Sequence, residues 1–241
     1  MSLISIGATT SINLATQVTG NLAVSHLNSG TSASASTFWR GDGTWATAGG
    51  GYDPGTVPTI VQFASNTSGV TVTFGVAPTN GNLLVALTFN SNNNTLQAGW
   101  TRDVENATGL DWGNVCHKTC GTGESTSQQA MATTTAGGVI MWELSGATSF
   151  VSGLSQSEQS STSAVTLLLP NVKNCIGFSA LGATAGNISN PNNLGTQDVL
   201  DNTGNRHMIG GHTNLSLTPM VGLMCDFSVS SSSKMCTCLF K

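Results

Sequence analysis

The chain has 241 residues, of which only 7% are charged, and a formal net charge of −4. Seven basic residues leave no Lys/Arg stripe to neutralise phosphates, which argues against nucleic acid as a partner. Hydrophobic residues make up 39% of the chain, and this with so small a net charge argues against disorder throughout. No apolar run reaches the ~18 residues of a membrane-spanning helix, so no membrane insertion is expected. Met1-Ser2-Leu3-Ile4-Ser5 lacks the basic and apolar regions of a secretory signal, which points to synthesis in a cytoplasm. Gly, Ser, Thr and Asn stand where charges usually stand, a mixture poor in helix formers and rich in turn formers.

Within residues 1–50, the first thirty alternate weakly, at Leu3-Ile4-Ser5-Ile6, Ile12-Asn13-Leu14 and Leu22-Ala23-Val24. They hold too few large apolar residues for a core of their own, so an extended β-rich arm that packs on other chains is expected, with Leu14, Leu22 and Val24 at the interface. Within it, Ser32–Thr47 reads SASASTFWRGDGTWAT. Strand formers flank an Arg40-Gly41-Asp42-Gly43 turn, which predicts a small hairpin. Its aromatics Phe38, Trp39 and Trp45 need a partner surface and are further interface candidates. The Arg-Gly-Asp triplet reads as the turn itself rather than as a cell-adhesion signal.

The segment Gln17–Thr47, QVTGNLAVSHLNSGTSASASTFWRGDGTWAT, resembles one that recurs in bacteriophage tail fibres and related virion proteins. The resemblance implies a homotrimer in which this segment links a virion-attachment end to a C-terminal domain. It implies no chemistry.

Residues 51–58 form a linker within GGGYDPGTVP, where glycines and prolines can continue neither a helix nor a central strand. Residues 59–241 carry strand candidates at sandwich spacing. The first is Ile60–Ser65. Gly69–Val76 alternates, with Val70, Val72, Phe74 and Val76 on one face. Asn82–Asn90 is nearly all apolar and reads as a strand buried on both faces. Trp100–Glu105, Gly113–Cys120, Ser125–Ala132, Gly137–Leu144, Ala164–Leu169, Cys175–Leu181, Arg206–His212, Pro219–Val229 and Lys234–Phe240 follow. The fold class expected is all-β: an extended N-terminal oligomerisation arm followed by an antiparallel, jelly-roll-like β-sandwich. PTNGNLLVALTF, the following Gly99-Trp100, GGVIMWELSG and KMCTCLF are similar to elements of a sandwich domain at the C-terminus of many phage and bacterial surface proteins. That resemblance implies a structural or binding role and brings no catalytic residues.

Cys116-His117-Lys118-Thr119-Cys120 looks like half of a zinc site, but its only counterpart is the distant Cys236/Cys238 pair. Six buried free thiols are expected instead, with no metal and no cofactor. His207 and His212 do not form the His-x-His pair with which trimeric phage tips bind iron. Asp103 and Glu105 share a strand face, as carboxylates on solvated faces often do, and no nucleophile elbow or phosphate loop is present. No catalytic residue is assigned. Glycan binding suits the composition better, because exposed indoles stack on sugars while amides bond hydroxyls. Its candidates are Trp112 and Asp111 with the loop residues Asn92, Asn93 and Asn94; Trp100 reads as core. The function expected is that of a non-enzymatic virion protein. It would be a trimeric tail fibre or receptor-binding protein, joined to other virion proteins through its arm and touching host cell-surface polysaccharide. The alternatives are a head fibre or capsid-decorating protein, and a small polysaccharide-degrading tailspike.

Overall fold

The computed structural model describes residues 37–39, 45–47, 57–90, 95–106, 112–132, 137–168, 174–193, 195–203, 207–215 and 221–241. The chain divides into two units, Met1–Asp53 and Pro54–Lys241. In the first, β1 (Thr37–Trp39) and β2 (Trp45–Thr47) pair antiparallel, with Trp39 opposite Trp45. The rest of the expected arm, including Leu14, Leu22 and Val24, lies outside the described residues.

The second unit is an antiparallel β-sandwich, with no helix among the described residues. Its first part contains β3 (Thr59–Asn66), β4 (Thr71–Thr73), β5 (Leu83–Asn90), β6 (Thr101–Asn106), β7 (Trp112–Thr119), β8 (Ser127–Gln129) and β9 (Gly137–Ser145). Its second contains β10 (Phe150–Leu168), β11 (Cys175–Ala183), β12 (Ile188–Asn193), β13 (Thr196–Asp201), β14 (His207–Leu215) and β15 (Val221–Phe240). Sheet 1 has the order β3-β9-β5-β7-β6 and sheet 2 the order β10-β15-β11-β14-β13. Apart from β12, a sixth strand of sheet 2 that pairs β15, the strands of each sheet thus lie in the same sequence: first, last, second, fourth, third.

The likeness of the halves extends to register. β3 is bulged against β9 between Ile60 and Gln62, and β10 against β15 between Phe150 and Ser152. β6 is bulged against β7 between Arg102 and Val104, and β13 against β14 between Gln197 and Val199. Matching these registers makes Val85 equivalent to Phe178, His117 to His212 and Trp142 to Cys238. The sandwich is a structural duplication, and its two copies face each other.

The alternation of a strand explains how one core serves both sheets. From β5, Leu83, Val85, Leu87 and Phe89 point into the sandwich. They meet Ile176, Phe178 and Ala180 of β11 and Cys236, Cys238 and Phe240 of β15. Leu84 and Ala86 point the other way, into a second cluster with Val70, Val72, Phe74, Trp100 and Met131 beneath the two-stranded β4–β8 sheet. On the outer face of sheet 2, Leu181, Ala183 and Ile209 pack with Leu223, Cys225 and Phe227. β5, β9 and β11 are consequently buried on both faces. Complete burial of one Leu, Ile, Val, Phe or Met side chain is worth about 1.5–3 kcal/mol, so these three strands dominate the stability.

Several elements differ from the sequence expectation. β4 spans only Thr71–Thr73, and Val76 is exposed beyond it. The strand expected over Ala164–Leu169 is the end of β10, which starts at Phe150, and the last two expected strands are one, β15. The two long partners pair at both ends, from Phe150 to Glu158 and from Ser163 to Leu168, with the ladder interrupted by irregularities between Glu158 and Ser163.

Candidate functional site

The duplication places two Asp–His pairs at equivalent positions on the sheet edges. Asp103 and Asp198 each occupy the bulge of an edge strand. A bulge re-aims its side chain, and each carboxylate meets the histidine that lies fourteen residues further along the chain. His117 Nδ1–H donates to Asp103 Oδ2 at 2.7 Å, and His212 Nδ1–H donates to Asp198 Oδ2 at 2.9 Å. The carboxylate side chains are 6% and 5% exposed and the imidazoles 21% and 19%. Asp103 is therefore not on a solvated face: the bulge breaks the alternation that would have kept it with Glu105, which pairs instead with Arg102 at 2.6 Å.

Both pairs also reach the opposite sheet. The Trp142 Nε1–H donates to Asp198 Oδ2 at 2.7 Å, joining β9 to β13. The His117 ring stands edge-on to Phe240, with centroids 5.9 Å apart, joining β7 to β15. Chemically, such a pair orients an imidazole and fixes which nitrogen carries the proton. Structurally, each is a clasp that ties an edge strand to its neighbour and to the facing sheet.

The copies differ most where polar residues replace apolar ones. Glu143, fully buried on β9, occupies the position that Leu239 takes in the second half. It accepts from Gln62 Nε2 at 2.6 Å, Thr79 N–H at 2.8 Å and Asn82 Nδ2 at 2.6 Å. Burial raises its pKa, but these bonds to the charged form outweigh it and hold the carboxyl below its ordinary value. A second difference lies at the other end of sheet 1. Thr88, Asn90 and Asn114 are each 0% exposed, at the positions of Leu181, Ala183 and Ile209. The Asn114 Nδ2 donates to Thr88 Oγ1 at 3.3 Å. Both amide atoms of Asn90 and the Oδ1 of Asn114 have no hydrogen-bond partner among the described residues.

Of the glycan candidates, Trp112 opens β7 in register with Asn90; Asp111, Asn92, Asn93 and Asn94 lie outside the described residues. Trp100 belongs to the cluster beneath β4 and β8. All six cysteines are free and buried. Cys116 and Cys120 lie in the outer cluster of sheet 1 and Cys236 and Cys238 in the central core, so the two thiol pairs do not assemble one zinc site. Among the described residues no three His, Cys, Asp or Glu side chains converge as metal ligands. Burial pushes the thiols of Cys116, Cys225 and Cys236 up to about 12 and that of Cys120 to about 11.

The Asp–His clasps went unseen in the sequence although it carries their signal. Thr-x-Asp-Val-x-x-x-Thr-Gly occurs twice, at Thr101–Gly109 and Thr196–Gly204, each time with a histidine at the same distance beyond the aspartate. No protein-family model, curated protein or solved structure matches the chain.

Proposed function

We propose that the chain is a non-enzymatic structural protein of a bacteriophage virion, a homotrimeric tail fibre or receptor-binding protein that contacts glycan on the host surface. The observation that carries this reading is the tail-fibre pattern of Gln17–Thr47, whose end pairs as a hairpin with Trp39 opposite Trp45. Two indoles and a phenyl on so few residues need a partner surface, which a trimeric arm supplies. The all-β sandwich with its uncharged composition supports the reading, because it offers amides and hydroxyls rather than charges to whatever it meets. The arm joins the protein to its trimer mates and to other virion proteins, and the sandwich projects toward the cell.

The test is localisation on intact particles with an antibody raised against residues 59–241. Label at the tail is the expected result. Label over the head would overturn the tail reading and favour a head fibre or capsid-decorating protein.

A further inference from the structure

We propose that the sandwich packs against a second copy of this chain through the side that carries β3 and β13, the free edge of β3 in one copy meeting the free edge of β13 in the next. The proposal rests on the trimeric reading of the chain and says where the sandwiches of a trimer touch.

The duplication shows what is unusual about this side. Each side of the sandwich brings together one edge strand from each sheet. Where β6 meets β10 the strands close tightly: a Cβ on Gly153 would lie 2.7 Å from the Val104 Cγ2. Register makes Phe63 the equivalent of Gly153, because Phe63 pairs Trp142 and Gly153 pairs Cys238. Register partners share a face, so Phe63 lies on the core-facing side of β3 with the buried Trp142. Its side is nevertheless open, and Phe63 is 45% exposed. Val61 beside it is 47% exposed. The Gln62 Nε2–H donates to the Val76 carbonyl at 3.0 Å and so keeps a third exposed side chain next to them. The Thr67 Oγ1–H donates to Asp201 Oδ2 at 3.2 Å, which brings β13 and its exposed Leu200 to the same side. The described side chains of β6 and β10 include no exposed large apolar residue.

The edges here also lack the usual protection. No charged residue occurs between Asp53 and Arg102, so β3 carries none of the charges that keep an edge strand from pairing, whereas β6 carries Arg102 and Glu105. On β13, Asp198 is engaged by His212 and Trp142, and Asp201 by Thr203 and Thr67. β3 and β13 each end the order of their sheet, and among the described residues no backbone hydrogen bond reaches the outer edge of β3. An uncharged edge of eight residues with apolar side chains outward is a template for another strand.

The occupant follows from the chain itself. β3 comes directly after residues 51–58, so chains joined by their arms hold their β3 strands within a linker's reach of one another. A ring of three copies needs two different surfaces that fit each other. This side supplies two, one edge from each sheet.

The experiment measures hydrogen exchange across Thr59–Asn66 in the full chain, with mass by sedimentation equilibrium. The variants are Phe63→Arg and Leu200→Arg, which put a charge on each edge. The wild type is expected to sediment as three chains with the outer amides of β3 protected. Each variant should exchange those amides about tenfold faster or more, while the arm keeps the mass unchanged and β5 and β11 exchange as slowly as before. Release by Leu200→Arg carries the most weight, because Leu200 and β3 belong to different sheets. A wild-type trimer whose outer β3 amides exchange freely overturns this interface and leaves the arm standing. Protection that Leu200→Arg does not release overturns β13 as the partner edge. Faster exchange of β5 and β11 in both variants assigns the two residues to the fold and overturns the proposal. A monomeric wild type defeats the trimeric reading and this proposal together.

Discussion

Phe89 and Gly182 occupy equivalent positions in the two copies and touch each other across the sandwich: a Cβ on residue 182 would lie 2.6 Å from the Phe89 Cγ. The two sheets approach closely there because one copy supplies a ring and the other supplies nothing. Gly182→Ala is therefore expected to destabilise the protein by about 1–3 kcal/mol, as overpacking of a close-packed core does. A urea titration followed by tryptophan fluorescence reads this directly. An unchanged midpoint would mean that the sheets can separate at that point without penalty.

The two clasps predict a matched pair of effects. Asp103→Asn and Asp198→Asn keep the volume and remove the charge, and each is expected to cost about 1–3 kcal/mol. The loss at residue 198 should be larger, since its carboxylate serves both His212 and Trp142 and an amide offers one oxygen to two donors. Equal and negligible losses would show that the pairs do not hold the sheets together.

Glu143 predicts a pH dependence whose sign follows from its depressed pKa. A carboxylate with a lower pKa folded than unfolded adds stability that is fully present above the unfolded value, about 4.3, and is lost as pH falls through the folded one. The unfolding midpoint of the wild type should fall in acid below that value. Glu143→Gln should flatten this fall while lowering stability at neutral pH by about 1–3 kcal/mol, because one amide oxygen replaces two carboxylate oxygens before three donors. An acid limb unchanged by the substitution would assign the pH dependence to other carboxylates.

The thiols predict chemical silence. With six buried cysteines, several raised to about 11 or 12, the native protein should react with almost no Ellman's reagent at about pH 8. All six should react in guanidinium. Rapid native labelling would mean that the sandwich opens far more readily than its packing implies.

Trimerisation through the arm predicts that the intact protein sediments as three chains and that Trp39→Ala weakens the assembly. A monomer at micromolar concentration would remove the case for the arm. An unchanged trimer in Trp39→Ala would remove the hairpin from it.

The parts of the fold that were legible are those with strong apolar pattern. LLVALTFN and GVIMWEL announce strands buried on both faces, because nearly every residue is apolar or small. β12 and β13 were hidden because ISNPNN and TQDVLD are mostly polar and one contains a proline. The first half of β10 was hidden because a serine-rich run reads as loop when its partner strand lies some seventy residues or more away in sequence. The duplication was written in two short motifs, but the flanking strands have diverged so far that Leu83 and Val85 answer to Ile176 and Phe178. The buried polar residues of sheet 1 could not be seen, because Thr88 and Asn90 look in sequence like the polar margin of a strand.

In both sheets the strand that follows all its partners in the chain, β9 or β15, is inserted between the first and second. Neither sheet can therefore close until its last strand has been synthesised, and apart from the β6–β7 and β13–β14 hairpins the pairings within the two sheets are remote in sequence. A chain with so high a contact order should fold in milliseconds to seconds rather than microseconds. Until then the long facing edges of β3 and β5, and of β10 and β11, are open to the wrong copy of β9 or β15. The differences between the copies, Glu143 against Leu239 and Phe89 against Gly182, would then serve as addresses that keep the two late strands from exchanging places.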